Sequence, residues 1–170
     1  MALSKIDAVN FLTGTIPSGN IATSSLAAAD TGKVLQVVTA TDNTSRSSTS
    51  TSYVTASNTL SVDITPSATS SKIFVTTQFT VGIAQDDQVA KYTIYRDSTD
   101  LGDSGGEGMQ RCAMYNAGYD AYFTCAMSIL DSPSSTSELT YQVYGKTSAS
   151  SFYINYGAGK VSLTAYEISG

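Results

Sequence analysis

The chain has 170 residues, a formal net charge of −5 at pH 7 and 14% charged residues, against roughly 25% in an average domain. Its nine Lys and Arg residues are scattered along the sequence, which predicts no clustered basic face of the kind that binding to nucleic acid phosphates needs. No apolar run approaches the roughly 20 residues of a membrane-spanning helix. The sequence therefore predicts one folded domain that binds neither nucleic acid nor a bilayer. With 26 serines and 23 threonines in place of charges, its surface suits packing against neighbouring proteins.

The first 33 residues differ from the rest of the chain. They are apolar enough to require burial, but Gly14 and Pro17 break them into an irregular, extended path. Residues from Ser24 to Ala29 allow at most a short helix. We therefore predict that residues 1–33 form an anchoring and oligomerisation arm that packs outside its own domain. Its predicted interface side chains are Ile6, Val9, Phe11, Leu12, Ile16, Ile21 and Leu26.

From residue 34 onward, apolar residues recur at alternate positions, which is typical of half-buried β-strands. Thr, Val, Ile and Tyr dominate these segments, and clusters of turn-forming residues separate them. The predicted inward rows are Ile73, Val75, Phe79, Val81 and Ile83; Phe123, Cys125, Met127 and Ile129; Leu139, Tyr141 and Val143; Phe152, Ile154 and Tyr156; Val161, Leu163 and Ala165. We expect an all-β protein, in which residues 34–170 form an antiparallel jelly-roll-like β-sandwich head behind the extended N-terminal arm. The polar run from Thr41 to Ser52 fits either a low-complexity segment or an exposed edge strand.

The two cysteines, Cys112 and Cys125, lie in neighbouring segments that predict a hairpin turning near Gly118. In such a hairpin they would lie nearly opposite each other, about 4.5–5.5 Å apart, which is within the range of a disulfide. We expect proximity without a bond, because assembly in a reducing cytoplasm favours two thiols. The sequence itself leaves their redox state open.

Catalytic chemistry has little support in the sequence. The run from Gly102 to Gly106 matches the residues around the nucleophile of chymotrypsin-like serine proteases, but the chain has no histidine to accept a proton from Ser104. The same absence excludes Cys–His nucleophiles and zinc sites that need histidine. We therefore predict that the protein is not an enzyme and has no catalytic, cofactor-binding or metal-ligating residues. Carboxylates between Asp97 and Glu107 leave calcium open beside a solvated turn, although their spacing does not fit an EF-hand.

Tyrosine is enriched: the chain has 11 Tyr, 5 Phe and no Trp. A tyrosine ring packs on one side and hydrogen-bonds on the other, so this residue is favoured at wet interfaces. Tyr115, Tyr119 and Tyr122 cluster around one predicted turn. They motivate the hypothesis of a surface that faces a host glycan or receptor, against the alternative of ordinary tyrosines on a strand surface.

The stretch from Leu3 to Ile21, which includes Thr-Gly-Thr-Ile-Pro-Ser-Gly-Asn-Ile, resembles the attachment regions of tail-fibre and related virion proteins of tailed phages, notably marine phages. The run Gly-Lys-Val-Leu-Gln-Val-Val at 32–38 resembles the start of their heads, and residues 161–168 resemble their closing central strand. The resemblance implies a homotrimer with a jelly-roll head and an arm that binds other virion proteins. It implies a location in the virion after assembly in the host cytoplasm, and it carries no catalytic residues.

Three functions remain open from the sequence. The leading one is a trimeric tail fibre or appendage with an adhesive head, and the second is a head decoration or cement protein that stabilises the capsid. The third, from a different class, is a carbohydrate-active enzyme on a β-sandwich that works through tyrosine or carboxylates.

Overall fold

The computed structural model describes residues 32–55, 57–83, 88–103, 105–114 and 121–170. The interface residues predicted for the arm lie outside this part of the chain, as do the predicted short helix and the predicted turn near Gly118. Three further side chains singled out from the sequence also lie outside it: Ser104, Tyr115 and Tyr119.

The described residues form twelve β-strands and contain no helix. The strands are β1 (Val34–Asp42), β2 (Arg46–Ser48), β3 (Val54–Thr55), β4 (Ser61–Ile64), β5 (Lys72–Ile83), β6 (Gln88–Arg96), β7 (Thr99–Asp100), β8 (Gln110–Met114), β9 (Ala121–Asp131), β10 (Leu139–Thr147), β11 (Phe152–Ile154) and β12 (Val161–Ile168). They form two six-stranded sheets. Within each sheet, every pair of hydrogen-bonded strands is antiparallel. This arrangement confirms the expected all-β, antiparallel sandwich.

The first sheet is organised around the long strand β5. On one side of β5, β12 pairs with residues 72–78 and β11 with residues 81–83, while β9 pairs along the other side. β1 extends the sheet beyond β12, and β2 extends it beyond β11. The polar run from Thr41 to Ser52 therefore contributes the end of β1 and all of β2, which supports its interpretation as an edge strand.

The second sheet is organised around β10 and β6, which pair with each other. β3 and β4 pair with the free side of β10, and β7 and β8 with the free side of β6. β6 was not predicted from the sequence. Its core-facing row begins with Gln88, which is buried, so the apolar alternation that identifies a strand is incomplete there.

The core lies between the two sheets, and the predicted inward rows supply most of it. Tyr92 of β6 packs edge-to-face against Phe79 of β5 and Phe152 of β11, with ring centroids 5.6 and 5.7 Å apart. Its hydroxyl donates to the backbone oxygen of Tyr153 at 2.9 Å, so the buried phenol keeps a partner. One predicted inward residue was wrong: Tyr156 lies beyond the end of β11 and is exposed.

The predicted cysteine hairpin was also wrong. Cys112 on β8 pairs with Ala90 of β6, and Cys125 on β9 pairs with Phe79 of β5, so the two cysteines belong to different sheets. Both are buried free thiols, and burial raises the pKa of each. The pattern of alternate apolar residues fixes which face of a strand is buried, but it does not fix which strand lies alongside.

Candidate interaction surface

The outward side chains of β1, β12, β5 and β9 form one continuous surface, called here the outer face of the first sheet. Its rows follow from the strand register, because residues directly opposite each other on neighbouring strands point to the same side. Lys72, at one end of β5, is the only charged residue among these outward positions. A sheet face that is exposed to water normally carries many charged side chains, so this surface is unusually poor in charge.

An apolar row crosses one end of the outer face. Val37 of β1 lies opposite Tyr166 of β12, Tyr166 lies opposite Phe74 of β5, and Phe74 lies opposite Leu130 of β9. The Phe74 and Tyr166 rings are in contact, with centroids 6.1 Å apart. The two ends of the row are open to solvent, since Val37 is 53% and Leu130 51% exposed. Leu35, which is also exposed, adds to the same end of the sheet.

A band of hydroxyl groups lies next to the apolar row. Thr39, Thr164, Thr76 and Ser128 occupy the same register position on the four strands. The hydroxyl oxygens of Thr39 and Thr164 lie 3.1 Å apart and form a hydrogen bond. Threonines that bond to one another across strands stabilise a sheet and present methyl groups outward, so this band is polar without being charged.

A cluster of three tyrosines lies at the other end of the outer face, above Gly82 of β5. Tyr122 and Tyr156 are stacked with centroids 4.5 Å apart, and Tyr153 meets Tyr156 edge-on at 5.3 Å. A Cβ atom at Gly82 would lie 3.2 Å from the Tyr156 ring and 3.4 Å from the Tyr153 ring. The rings therefore pack directly on the glycine backbone. A lone glycine inside a strand indicates such a close approach.

Of the tyrosines predicted to face a receptor, the structure places Tyr122 in this cluster, where it is 49% exposed. In the cluster its ring stacks on Tyr156, which follows β11. The sequence predicted Tyr156 as an inward residue, whereas it is part of this surface. Gly82 was the available signal for the cluster.

The carboxylates between Asp97 and Glu107, for which the sequence left calcium open, have separate hydrogen-bond or ion-pair partners. Asp97 accepts a hydrogen bond from the backbone N–H of Thr140, and Asp100 accepts from Thr93 and from the backbone of Gly102. Glu107 pairs with Lys91. No group of three or more His, Cys, Asp or Glu positioned to hold a metal occurs in the described part of the chain. The same residues contain no helix long and apolar enough to cross a membrane.

Comparison with known proteins gives structural matches alone. No protein family and no curated protein matches the sequence. Among solved structures, the chain is similar to the VP2 subviral particle of infectious bursal disease virus, with 17% identity and a TM-score of 0.39 over 79% of this chain and 37% of that one. The Gt strain structure of the same virus gives 18% identity and a TM-score of 0.40 over 82% of this chain and 39% of that one. The chain therefore spans less than half the length of the structures it matches.

Proposed function

We propose that the chain is a virion structural protein of a tailed phage, a homotrimeric tail fibre or similar appendage whose arm anchors it and whose head is adhesive. The observation that carries this proposal is the outer face of the first sheet, which is almost without charge and has an apolar row open at both ends. The resemblance of residues 3–21 to phage attachment regions, and of residues 32–38 to the start of the heads that follow them, supports the choice of particle.

The occupant we propose for the outer face is a second copy of the chain. A surface without charges offers no complementarity to a charged partner, whereas it fits another uncharged surface. Strands rise about 3.3 Å per residue and lie about 4.8 Å apart, so four strands as long as β12 give a face of the order of 500 Å² in projection. A standard interface buries roughly 800 Å² on each partner, so the face supplies more than half of such an area and its flanking side chains must supply the rest.

One cavity supports the proposal that the protein is not an enzyme, because its lining has no pair of carboxyl groups. Glycoside hydrolysis uses two carboxyl groups about 5–10 Å apart across a cleft. A cavity of about 340 Å³ lies where β11 and β12 diverge along β5, and its lining includes Gln78, Thr124 and Lys160 but no carboxylate.

A direct test is the mass of the purified chain and of a charged variant. Light scattering should give about three times 17.8 kDa for the wild type. Leu130→Glu places a carboxylate in the apolar row and should lower the mass towards that of a monomer, because desolvating an unpaired charge at an interface costs several kcal/mol. Thr99→Glu, an exposed strand residue of the second sheet, adds the same charge elsewhere and should leave the trimer intact.

A stable wild-type monomer at micromolar concentration would overturn the trimer, and a Leu130→Glu protein that remains trimeric would overturn the assignment of the face. The second candidate function is that of a capsid decoration or cement protein. Such a protein would need the same uncharged face but would lie on the capsid and not on the tail. Immunogold labelling of intact particles should place the protein on the tail, and labelling over the capsid would favour the decoration protein.

A further inference from the structure

The outward face of the second sheet carries a row of three cations. Lys146 of β10 lies directly opposite Lys91 of β6, and Lys91 lies directly opposite Arg111 of β8. The whole chain has nine Lys and Arg residues and a net charge of −5, so a third of its cations are gathered in one line. Like charges at directly opposed strand positions destabilise a sheet. The row therefore lowers stability unless carboxylates of the chain or a bound anion offset the repulsion.

Part of this repulsion is offset within the chain. Glu107 pairs with Lys91, and its second carboxylate oxygen lies 3.5 Å from Arg111. Lys146 forms no ion pair with a carboxylate of the described residues. Its ammonium group lies 4.3 Å from the centroid of the Tyr53 ring, which is a favourable contact. Its charge also helps to lower the pKa of Glu107, so that carboxylate offsets it in part.

Three tyrosines flank the cations on the same side of the sheet. Tyr144, two residues before Lys146 on β10, is stacked on Tyr95 of β6 with ring centroids 4.1 Å apart. Tyr53 meets Tyr95 at 6.1 Å, and its hydroxyl donates to the backbone oxygen of Gly106 at 3.3 Å. The rings are half-buried, so they form a fixed surface.

A small cavity lies between the two opposed lysines. It has a volume of about 220 Å³ and is lined by Lys91, Lys146, Thr51, Thr147 and Ser148. Thr147 is buried and its hydroxyl already bonds to Gln88 and Ala149. The two lysines and the hydroxyls of Thr51 and Ser148 are therefore the groups available at this cavity to a carboxylate or sulfate group.

We propose that this patch, formed by Lys91, Lys146, Tyr144, Tyr95 and Tyr53, binds an acidic saccharide. The anionic group lies between the two lysines, where it relieves their repulsion, and the apolar face of a neighbouring sugar ring packs on the Tyr144 ring. The inference rests on the proposed function, because it gives the adhesive head a class of ligand, and it places that ligand on the sheet opposite the one that binds other copies.

The test uses the full-length protein and calorimetric titration with a galacturonate pentamer. The matched probe is the methyl-esterified pentamer, which has the same backbone without charge, and a sulfated galactan pentamer distinguishes sulfate from carboxylate. We expect the acidic pentamers to bind and the esterified one not to bind.

Lys146→Gln should weaken binding roughly tenfold, as the loss of one charge-assisted hydrogen bond does, and Tyr144→Leu should weaken it without changing its salt dependence. Lys160→Gln, which removes an exposed lysine elsewhere, should change nothing.

The proposal would be overturned if neither acidic pentamer binds or if the esterified pentamer binds as tightly as the acidic ones. It would also be overturned if Lys146→Gln and Lys160→Gln change the affinity equally. Linear polyphosphate is a further probe. If it binds as tightly as the acidic pentamers and loses as much affinity in Lys146→Gln, the patch binds polyanions in general, and the proposal is overturned. Light scattering on the same samples separates this result from the proposed function. A trimer that binds no saccharide refutes the patch alone, and a monomer that binds it refutes the trimer alone.

Discussion

Arg96 and Asp131 join the two sheets of the sandwich. Nη1 of Arg96, at the end of β6, donates to both carboxylate oxygens of Asp131, at the end of β9, over 2.9 and 2.7 Å. Tyr141 of β10 donates its hydroxyl hydrogen bond to the same carboxylate at 2.7 Å. The Arg96 and Asp131 side chains are 22% and 10% exposed, so the pair is largely removed from water. Asp131 is thus the shared acceptor for two groups of the opposite sheet.

Replacing this acceptor should destabilise the sandwich. We expect Asp131→Asn to lower the free energy of unfolding by about 2–3 kcal/mol, because it leaves a partly buried guanidinium without its counter-charge. Glu138→Gln removes the same charge from an exposed position and should change stability by less than about 0.5 kcal/mol. Urea unfolding followed by circular dichroism measures both. Equal midpoints for the two variants would contradict the cross-sheet role of Asp131.

Glu167 is a buried carboxylate with hydrogen bonds to both of its oxygens. It accepts hydrogen bonds from the backbone N–H and the hydroxyl of Ser67, from the hydroxyl of Ser71 and from the amide of Gln36, at 2.6–2.7 Å. Burial alone would raise its pKa, but these hydrogen bonds to the ionised form outweigh burial and lower the pKa to about 2. The carboxylate thereby ties the loop after β4 and strand β1 to the central strand β12.

This lowered pKa predicts a specific loss of stability in acid. Since the folded-state pKa lies below the ordinary value, the contribution of Glu167 is complete above about pH 4.5 and disappears as the pH falls towards 2. A shift of this size corresponds to about 3 kcal/mol. Glu167→Gln should therefore be less stable than the wild type at pH 7 and nearly as stable at pH 2. Denaturant titrations between pH 7 and pH 2 measure the free energy of unfolding of both proteins. A difference between the two that stays the same at every pH would contradict this prediction.

Gly145 of β10 faces the core where Phe152 packs. A Cβ atom at this position would lie 2.6 Å from one carbon of the Phe152 ring and 2.9 Å from another. Phe152 is held against Tyr92 and cannot move aside, so we expect Gly145→Ala to cost about 1–3 kcal/mol. Gly159→Ala is the control, because the nearest atom to its added Cβ would be 3.8 Å away. Thermal unfolding of both variants tests the difference, and a fully stable Gly145→Ala protein would refute it.

The fold class could be predicted from the sequence because alternation along single strands is a local property. Ile73, Val75 and Phe79 identify the inward side of β5 without any knowledge of its neighbours. Strand partners are non-local, so the pairing of Cys112 with β6 could not be deduced. Surfaces were missed for the same reason. Lys91 and Lys146 lie 55 positions apart in the sequence, and register alone brings them together.

The predicted arm, residues 1–33, lies outside the described residues up to residue 31. The described residues from 32 onward already form both sheets and enclose the core, so we expect the head to fold without the first 21 residues. The arm carries Ile6, Val9, Phe11, Leu12 and Ile16 within those residues. Each such side chain contributes about 1.5–3 kcal/mol when fully buried, and several together offset the entropy of ordering the arm once a partner covers them.

Deleting residues 1–21 should therefore leave a folded head with an unchanged unfolding midpoint that no longer incorporates into particles. Incorporation is measured by supplying the variant to a phage that lacks the gene and assaying purified particles for the protein. The full-length double variant Phe11→Ser and Leu12→Ser should reduce incorporation in the same way, because it removes apolar surface without shortening the chain. Ser18→Ala keeps the apolar side chains and should incorporate normally. Normal incorporation of the deleted chain would refute anchoring by the arm, and a deleted chain that fails to fold would refute the division at residue 33.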